Sequence, residues 1–295
     1  MKKTDSPSNN SFSQPYYSSD LLARSLVRAG FPRYKAYNIA HTIWEEIGTG
    51  RKDETIITKK VLTILKKKHP EFIQRFKQWQ KIMKRTKPVI ILLGGGTGIG
   101  TSTLAVRLTW LLEINQVLGT DSIREVVRRF LPKALEPILN VSTFETGEHI
   151  KVVKSYEDAV IYGFLSQSKK VLYGIEAVIK RSIKESASVI IEGVHLVPGE
   201  MEFLKEYKSK ATIVQILLDV EQPETHRQHF FKRHLQNANR PKNKYLEYFN
   251  EIRLIRDFLV TQAKKNEVPV IENYSLNHAE REIIDTIYSL QTSKK

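Results

Sequence analysis

Cysteine is absent from all 295 residues. That removes disulfides, zinc ribbons and thiol catalysis together. No apolar run is long enough to cross a membrane. The opening residues, MKKTDSPSNNSFSQ, have no apolar core of the kind a signal peptide carries. A disordered polar tail over residues 1–15 and a cytoplasmic setting are the expectations. Acids are also scarce, 32 against 47 Lys and Arg, for a formal charge of +15. The scarcity is local: Arg51 to Lys87 holds 13 basic and 3 acidic residues, leaving +10. Such a stretch can be a nucleic-acid footprint, a field for small polyanions, or a solvated helix face. Val61, Leu62, Ile64 and Leu65, then Phe72, Ile73, Phe76 and Trp79, recur at helical spacing. The lysines therefore fill the outer face of packed helices, and nucleic acid is disfavoured.

What is present divides in two near Thr86–Pro88. Residues 16–86 read as a small helical domain. Ser18 or Ser19 caps a helix with Leu21, Leu22, Leu26 and Val27 on one side, and Gly30 ends it. A second helix has Ala36, Ile39, Ala40 and Ile43 on its apolar face. Thr58 is expected to cap a third, which His69-Pro70 breaks, and a fourth runs through EFIQRFKQWQKIMK. Residues 87–295 then alternate strands with helices. PVIILLGGG, QVLGT, SVIIEGV, TIVQILLDV and VPVIEN are the strands, and most are apolar throughout. That pattern predicts an α/β fold, a parallel sheet with helices on both faces. Ligands in such folds sit at the carboxyl ends of the strands.

The first strand runs into GGGTGIGTST, residues 94–103. Gly95, Gly100 and Ser102 fit the spacing of a phosphate-cradling loop, whose backbone N–H groups and helix N-terminus hold anions. Gly95, Gly96, Thr97, Gly98, Gly100, Thr101, Ser102 and Thr103 would then line ATP. Ser102 would ligate Mg²⁺, and Thr103 would support the α-phosphate. Thr101 stands where such loops usually carry a lysine. Two rivals compete. Gly94, Gly98 and Gly100 match the GxxxGxG of short-chain dehydrogenases, but none of the 12 tyrosines has a lysine four residues on, so the YxxxK pair is missing. A bare glycine turn explains neither the Ser-Thr pair nor the helix that follows.

Other candidates fall at other strand ends. Asp121 follows the second strand and would orient an acceptor hydroxyl or take its proton. Arg124 and Arg128 lie one and two turns beyond it, placed to hold phosphate or carboxylate. Ser122 and Glu125 also read as an S-x-x-E capping box there, the bland alternative. Glu192 ends the third strand, where an acid holds Mg²⁺ through water or acts as base. His195 could contact substrate, but a lone histidine after a strand reads rather as a packed or surface residue. From Glu224 to Leu259 arginines are dense: Arg227, Arg233, Arg240, Arg253 and Arg256. Arg233 and Arg240, around the loop Asn239-Arg240-Pro241, are the candidates for a lid that closes on phosphates. Arg256 reads as part of a charged helix face.

Together GGGTGIGTST, GTDSIREVVR, IIEGVHLVPG and RHLQNANRPKNKYLEYFNEIRLI resemble the archaeal 2-phosphoglycerate kinase family. Residues 16–86 resemble an ATP-cone, a small regulatory nucleotide-binding domain. The resemblance implies a P-loop kinase domain over residues 87–295 behind that cone. It implies ATP-dependent phosphorylation of 2-phosphoglycerate at its 3-hydroxyl to 2,3-diphosphoglycerate, a precursor of cyclic 2,3-diphosphoglycerate. It also implies a divalent metal, and leaves room for a second nucleotide in the cone. The catalytic set would be Asp121, Arg124, Arg233 and Arg240. Two alternatives stay open: another small phosphorylated acid or a nucleoside as acceptor, or a nucleotide-sensing regulator that binds nucleic acid.

Overall fold

The computed structural model describes residues 18–47, 54–84, 87–131, 133–151, 153–236 and 242–292. The expected tail over residues 1–15 lies outside them. The chain parts between Met83 and Lys84 into two compact units.

The described residues of the first unit form four α-helices: α1 Ser19–Arg28, α2 Arg33–Ile47, α3 Glu54–Lys68 and α4 Ile73–Met83. Ser18 caps α1, its hydroxyl accepting from the Leu21 N–H at 3.2 Å. Gly30 turns the chain with φ +112°. The start of α3 differs from expectation. It opens at Glu54, an acid that suits the positive end of the helix. Thr58 lies inside the helix instead, and its hydroxyl accepts from Gln80 of α4 at 3.1 Å. Leu22, Leu26, Ala36, Ile43, Ile57, Val61, Leu65 and Phe76 form the buried core. Lys59, Lys66, Lys67, Lys68, Lys77 and Lys81 are exposed, as a solvated outer face requires.

The second unit is built on a five-stranded parallel sheet of order β2-β3-β1-β4-β5. The strands are β1 Val89–Gly95, β2 Gln116–Gly119, β3 Val189–Gly193, β4 Thr212–Asp219 and β5 Val270–Glu272. Ile90, Ile91, Leu92 and Leu93 of β1 are all fully buried. Alternate side chains leave opposite faces of a strand, so both faces of β1 must be covered. Ile90 and Leu92 pack with Val171, Ile175 and Ile179 of the long helix α7, Tyr156–Lys184. The helix after β1, α5 Thr101–Leu112, packs with the last helix, α12 Leu276–Thr292. Arg107 of α5 and Glu280 of α12 join them at 2.6 Å. The parallel sheet with helices on both faces is the fold expected from the strand pattern.

The remaining helices are α6 Thr120–Phe130, α8 Leu204–Tyr207, α9 Pro223–Gln236, α10 Lys242–Glu247 and α11 Phe249–Lys265. Short 3-10 turns at Pro137–Asn140 and Thr143–His149 lead from α6 to α7. Register brings Leu93 and Gly119 opposite Glu192, and Gly95 opposite Leu218. The carboxyl ends of the strands thus form one edge. With β1 between β3 and β4, its connection leaves toward β2, and a crevice opens beside β1. No described helix is long and apolar enough to cross a membrane.

Candidate active site

The loop from Gly95 to Gly100 joins β1 to α5 over that crevice. Gly98 has φ +87°, and a Cβ there would run into the Phe230 ring of α9. Glycine is required on both counts. Gly100, at φ +101°, is the N-cap of α5. The first turn of α5 follows directly, so its unpaired N–H groups and dipole face the loop's concavity. Ser102 and Thr103 are exposed on that turn.

Three consecutive loop carbonyls are held from outside. His226 Nε2 of α9 donates to Thr97 O at 2.8 Å. His229 Nδ1 donates to Gly98 O at 3.1 Å. Asn273, just past β5, donates from Nδ2 to Ile99 O at 2.7 Å. A carbonyl only accepts, so each of these histidine nitrogens carries its proton. Burial pushes the His226 pKa down to about 4, so the ring is neutral near pH 7.

Glu192 gathers the start of α5. Thr101 donates its hydroxyl proton to Oε2 at 2.6 Å, and Ser102 donates to Oε1 at 2.9 Å. Thr101 is only 8% exposed. The side chain in the usual lysine position is therefore turned onto the neighbouring strand's acid. Ser102 gives its proton to Glu192 and keeps its lone pairs for a cation. A carboxylate with a hydroxyl is an oxygen set that suits Mg²⁺, which takes its other ligands from phosphates and water. No group of three or more His, Asp or Glu that could hold a metal ion occurs among the described residues.

The acceptor-side candidates stand at the end of β2. Asp121 is 75% exposed, and its Oδ1 lies 3.5 Å from Arg124 Nε. Arg124 is mostly buried. Its Nη1 donates to the carbonyls of Leu139 at 2.7 Å and Val141 at 3.2 Å, and its Nη2 pairs with Glu125. Arg128 also pairs with Glu125. The Nε atoms of Arg124 and Arg128 are both buried without a hydrogen-bond partner among the described residues. His195 is completely buried, as a packed residue should be. Its Nδ1 meets Thr120 Oγ1 at 2.9 Å and its Nε2 meets Gln167 Oε1 at 3.0 Å. Gln167 Nε2 donates to the carbonyls of Ile138 and Val141. Gly193, at φ +135°, makes room for Thr120, whose hydroxyl a Cβ would strike.

Arg240, with Asn239 and Pro241, lies outside the described residues, as does the side chain of Arg233. Arg256 departs from expectation. It is not part of a solvated face but forms a two-pronged pair with Asp219 at the end of β4, with Nε to Oδ1 at 2.5 Å. The reason is the buried acid: Asp219 is 4% exposed and needs a cation. A Cβ added at Gly96 of the loop would meet the Arg256 Cβ at 3.4 Å. Arg253 holds the carbonyls of Val220 and Glu221, both at 2.8 Å. Arg227 lies over the Phe249 ring, 3.9 Å from its centre.

Sequence reasoning missed His226, His229, Asn273 and Asp219. Asp219 carried the same signal as Glu192, an acid ending an apolar strand. The histidines offered only their spacing, one helical turn apart.

No protein-family model matches the chain. A 2-phosphoglycerate kinase of Methanopyrus kandleri is 40% identical over 94% of this chain and 84% of that protein. One of Methanocaldococcus jannaschii is 36% identical over 96% of this chain and 90% of that protein. The chain belongs to the 2-phosphoglycerate kinase family. Membership takes in the helical unit as well, since a match over 94% of the chain extends well into it. Among solved structures, this kinase-family chain is similar to a shikimate kinase from Acinetobacter baumannii, with 21% identity and a TM-score of 0.36 over 71% of this chain and 96% of that one.

Proposed function

We propose that the protein is an ATP-dependent 2-phosphoglycerate kinase. It moves the γ-phosphoryl group of ATP to the 3-hydroxyl of 2-phosphoglycerate, releasing ADP and 2,3-diphosphoglycerate. The acceptor's oxygen forms the new bond to phosphorus as the bond to the β-phosphate oxygen breaks, and the hydroxyl proton leaves. One observation carries the acceptor's identity: 40% identity over 94% of the chain with a protein named for it. That product would feed a later ring-closing step to the cyclic compound.

The loop from Gly95 to Thr103 cradles the phosphates of ATP with backbone N–H groups. Ser102 would hold Mg²⁺, with Glu192 fixing the serine's proton; a cation held there would supply neutralisation of phosphate charge. Asp121 orients the 3-hydroxyl and receives its proton. Arg124 and Arg128 hold the acceptor's phosphate or carboxylate. The Nε–H groups of both are buried without a hydrogen-bond partner among the described residues, Arg124 Nε lying 3.5 Å from Asp121 Oδ1, and this supports that role because such a donor is costly unless a ligand completes it. Arg233 and Arg240 meet the transferred group when the lid closes.

The helical unit is assigned as a regulatory nucleotide-binding domain of the ATP-cone type. Its separate core and exposed basic face support this. Two nucleotides bound per full-length chain is the expected stoichiometry by titration calorimetry; one would remove the assignment.

The main test mixes enzyme, ATP, Mg²⁺ and 2-phosphoglycerate, and follows ADP release with ³¹P NMR of the product. A new phosphate monoester on C3 is expected. Turnover with a different phosphorylated acid or a nucleoside, and none with 2-phosphoglycerate, would overturn the acceptor assignment.

A further inference from the structure

We infer that α9 and the end of β5 brace the outside of the phosphate loop and so aim its amides, an orienting task made necessary by the threonine at position 101. The inference rests on the phosphate-binding reading of that loop. A trans peptide unit is planar, with its C=O and N–H pointing in opposite directions. Fixing a carbonyl on one side therefore fixes the next residue's N–H on the other. His226, His229 and Asn273 hold the carbonyls of Thr97, Gly98 and Ile99. The opposed N–H groups belong to Gly98, Ile99 and Gly100. The Ile99 N–H closes a turn onto Gly96 O at 3.2 Å. Those of Gly98 and Gly100 donate to no described residue, which leaves two amides directed away from the brace.

The brace is costly to build, which marks it as more than filling. His226 Nδ1 is buried and has no hydrogen-bond partner among the described residues. The ring is kept in place by stacking instead: Phe230 lies 5.2 Å away at 27°, and Phe249 meets it edge-on at 5.5 Å. Phe230 is also the ring that a side chain at Gly98 would strike. Its neighbour on the same face, His229, takes the next carbonyl. One helix face thus supplies two donors and the packing surface for the loop.

Gly98 and Gly100 both adopt positive φ. Glycine peptides of this kind have low barriers of preference, and a flipped unit would present an oxygen to the phosphate. A lysine in the loop would hold the anion by its charge even where one amide strayed. Thr101 offers no such charge, and its hydroxyl is committed to Glu192. Amide direction then carries more of the binding.

The test uses the full chain and magnesium-ADP as probe, with affinity measured by calorimetry and acceptor KM measured separately. His226→Leu and Asn273→Leu are each expected to weaken ADP binding about tenfold, the scale of one lost hydrogen bond to a buried group. Acceptor KM should stay within about twofold, since the contacts lie on the nucleotide side alone. His226→Gln, whose amide nitrogen reaches the same place, should recover most of the affinity. A folded His226→Leu protein that binds ADP as tightly as the wild type would overturn the inference. If that variant does not fold, the half-buried His229 decides: His229→Ala should weaken ADP about threefold, with His229→Asn restoring it, and no change in either overturns the inference. Wild type that binds ADP but ignores 2-phosphoglycerate removes the acceptor assignment and leaves the brace testable. Wild type that binds no nucleotide overturns both.

Discussion

His195 and His226 are the same residue in nearly the same state, set on opposite sides of β1. Burial pushes the pKa of each down to about 4. They differ in what their nitrogens meet. Gln167 spends its amide protons on the Ile138 and Val141 carbonyls, so its oxygen faces His195 and Nε2 must donate. Nδ1 then accepts from Thr120, and the ring is fully satisfied. His226 satisfies only one nitrogen, on the loop carbonyl, and buries the other without a partner. The proposed acceptor side is thus walled by a closed hydrogen-bond network at the first residue of α6. The proposed nucleotide side is held by a residue that gives up a bond for its position. Interior polar groups that are all paired report on stability; those left short report on what the site needs.

The sharpest separation of the two sides is at Asp121. Asp121→Asn should lower turnover by about 10²- to 10⁴-fold, the range of a lost general base, while ADP affinity stays within about twofold. Equal losses in both would merge the sides. Next is His195→Leu. It strands the Thr120 hydroxyl and the Gln167 oxygen in the interior, at a cost of about 3 kcal/mol in denaturant unfolding. A loss well under 1 kcal/mol would show that the network rearranges freely.

Acid should expose the same network through its protonation. An unfolded histidine titrates near its model value of 6.5, and folded His195 near 4. Between those values the unfolded chain binds more protons, so stability is full above pH 6.5 and falls as pH drops toward 4. His195 alone should remove about 2 kcal/mol between pH 7 and pH 5. His226 acts in the same direction. Measured unfolding free energies at the two pH values should converge in His195→Gln relative to the wild type. An unchanged difference would mean that His195 is charged or open in the fold.

Much of the arrangement was readable because its causes are local. Five apolar segments, each ending in glycine or an acid, are enough to predict a parallel sheet, and a strand followed by GGGTGIGTST predicts an anion loop at its end. Glu192 was readable from the same rule. The outer brace was not. Its hydrogen bonds join residues 129, 131 and 174 positions apart, and no spacing in the chain announces them. Arg256 was misread for a related reason. Its neighbours on α11 look like a charged surface helix, and only the packing of α11 over β4 brings Arg256 to buried Asp219. Thr58 shows the local version: a good capping residue was passed over because Glu54 lets α3 start a turn earlier.

The smallest expected effect bears on the residue that stands in the lysine position. If Thr101 serves by its hydroxyl on Glu192, then Thr101→Ser should keep turnover within about twofold, since it loses only a methyl group. Thr101→Val keeps the shape and loses the bond. Glu192 would then hold Ser102 alone, and turnover should fall about tenfold, near the low end for a hydrogen bond to a charged group. Each variant differs from the wild type at one heavy atom, serine lacking the methyl and valine the oxygen, so ordinary packing damage cannot separate them in that direction. Serine is the poorer fit to the Thr101 cavity, and valine the better. Valine as active as serine would mean that the Thr101 hydroxyl is idle, and that the nucleotide side depends on Ser102 and the braced amides alone.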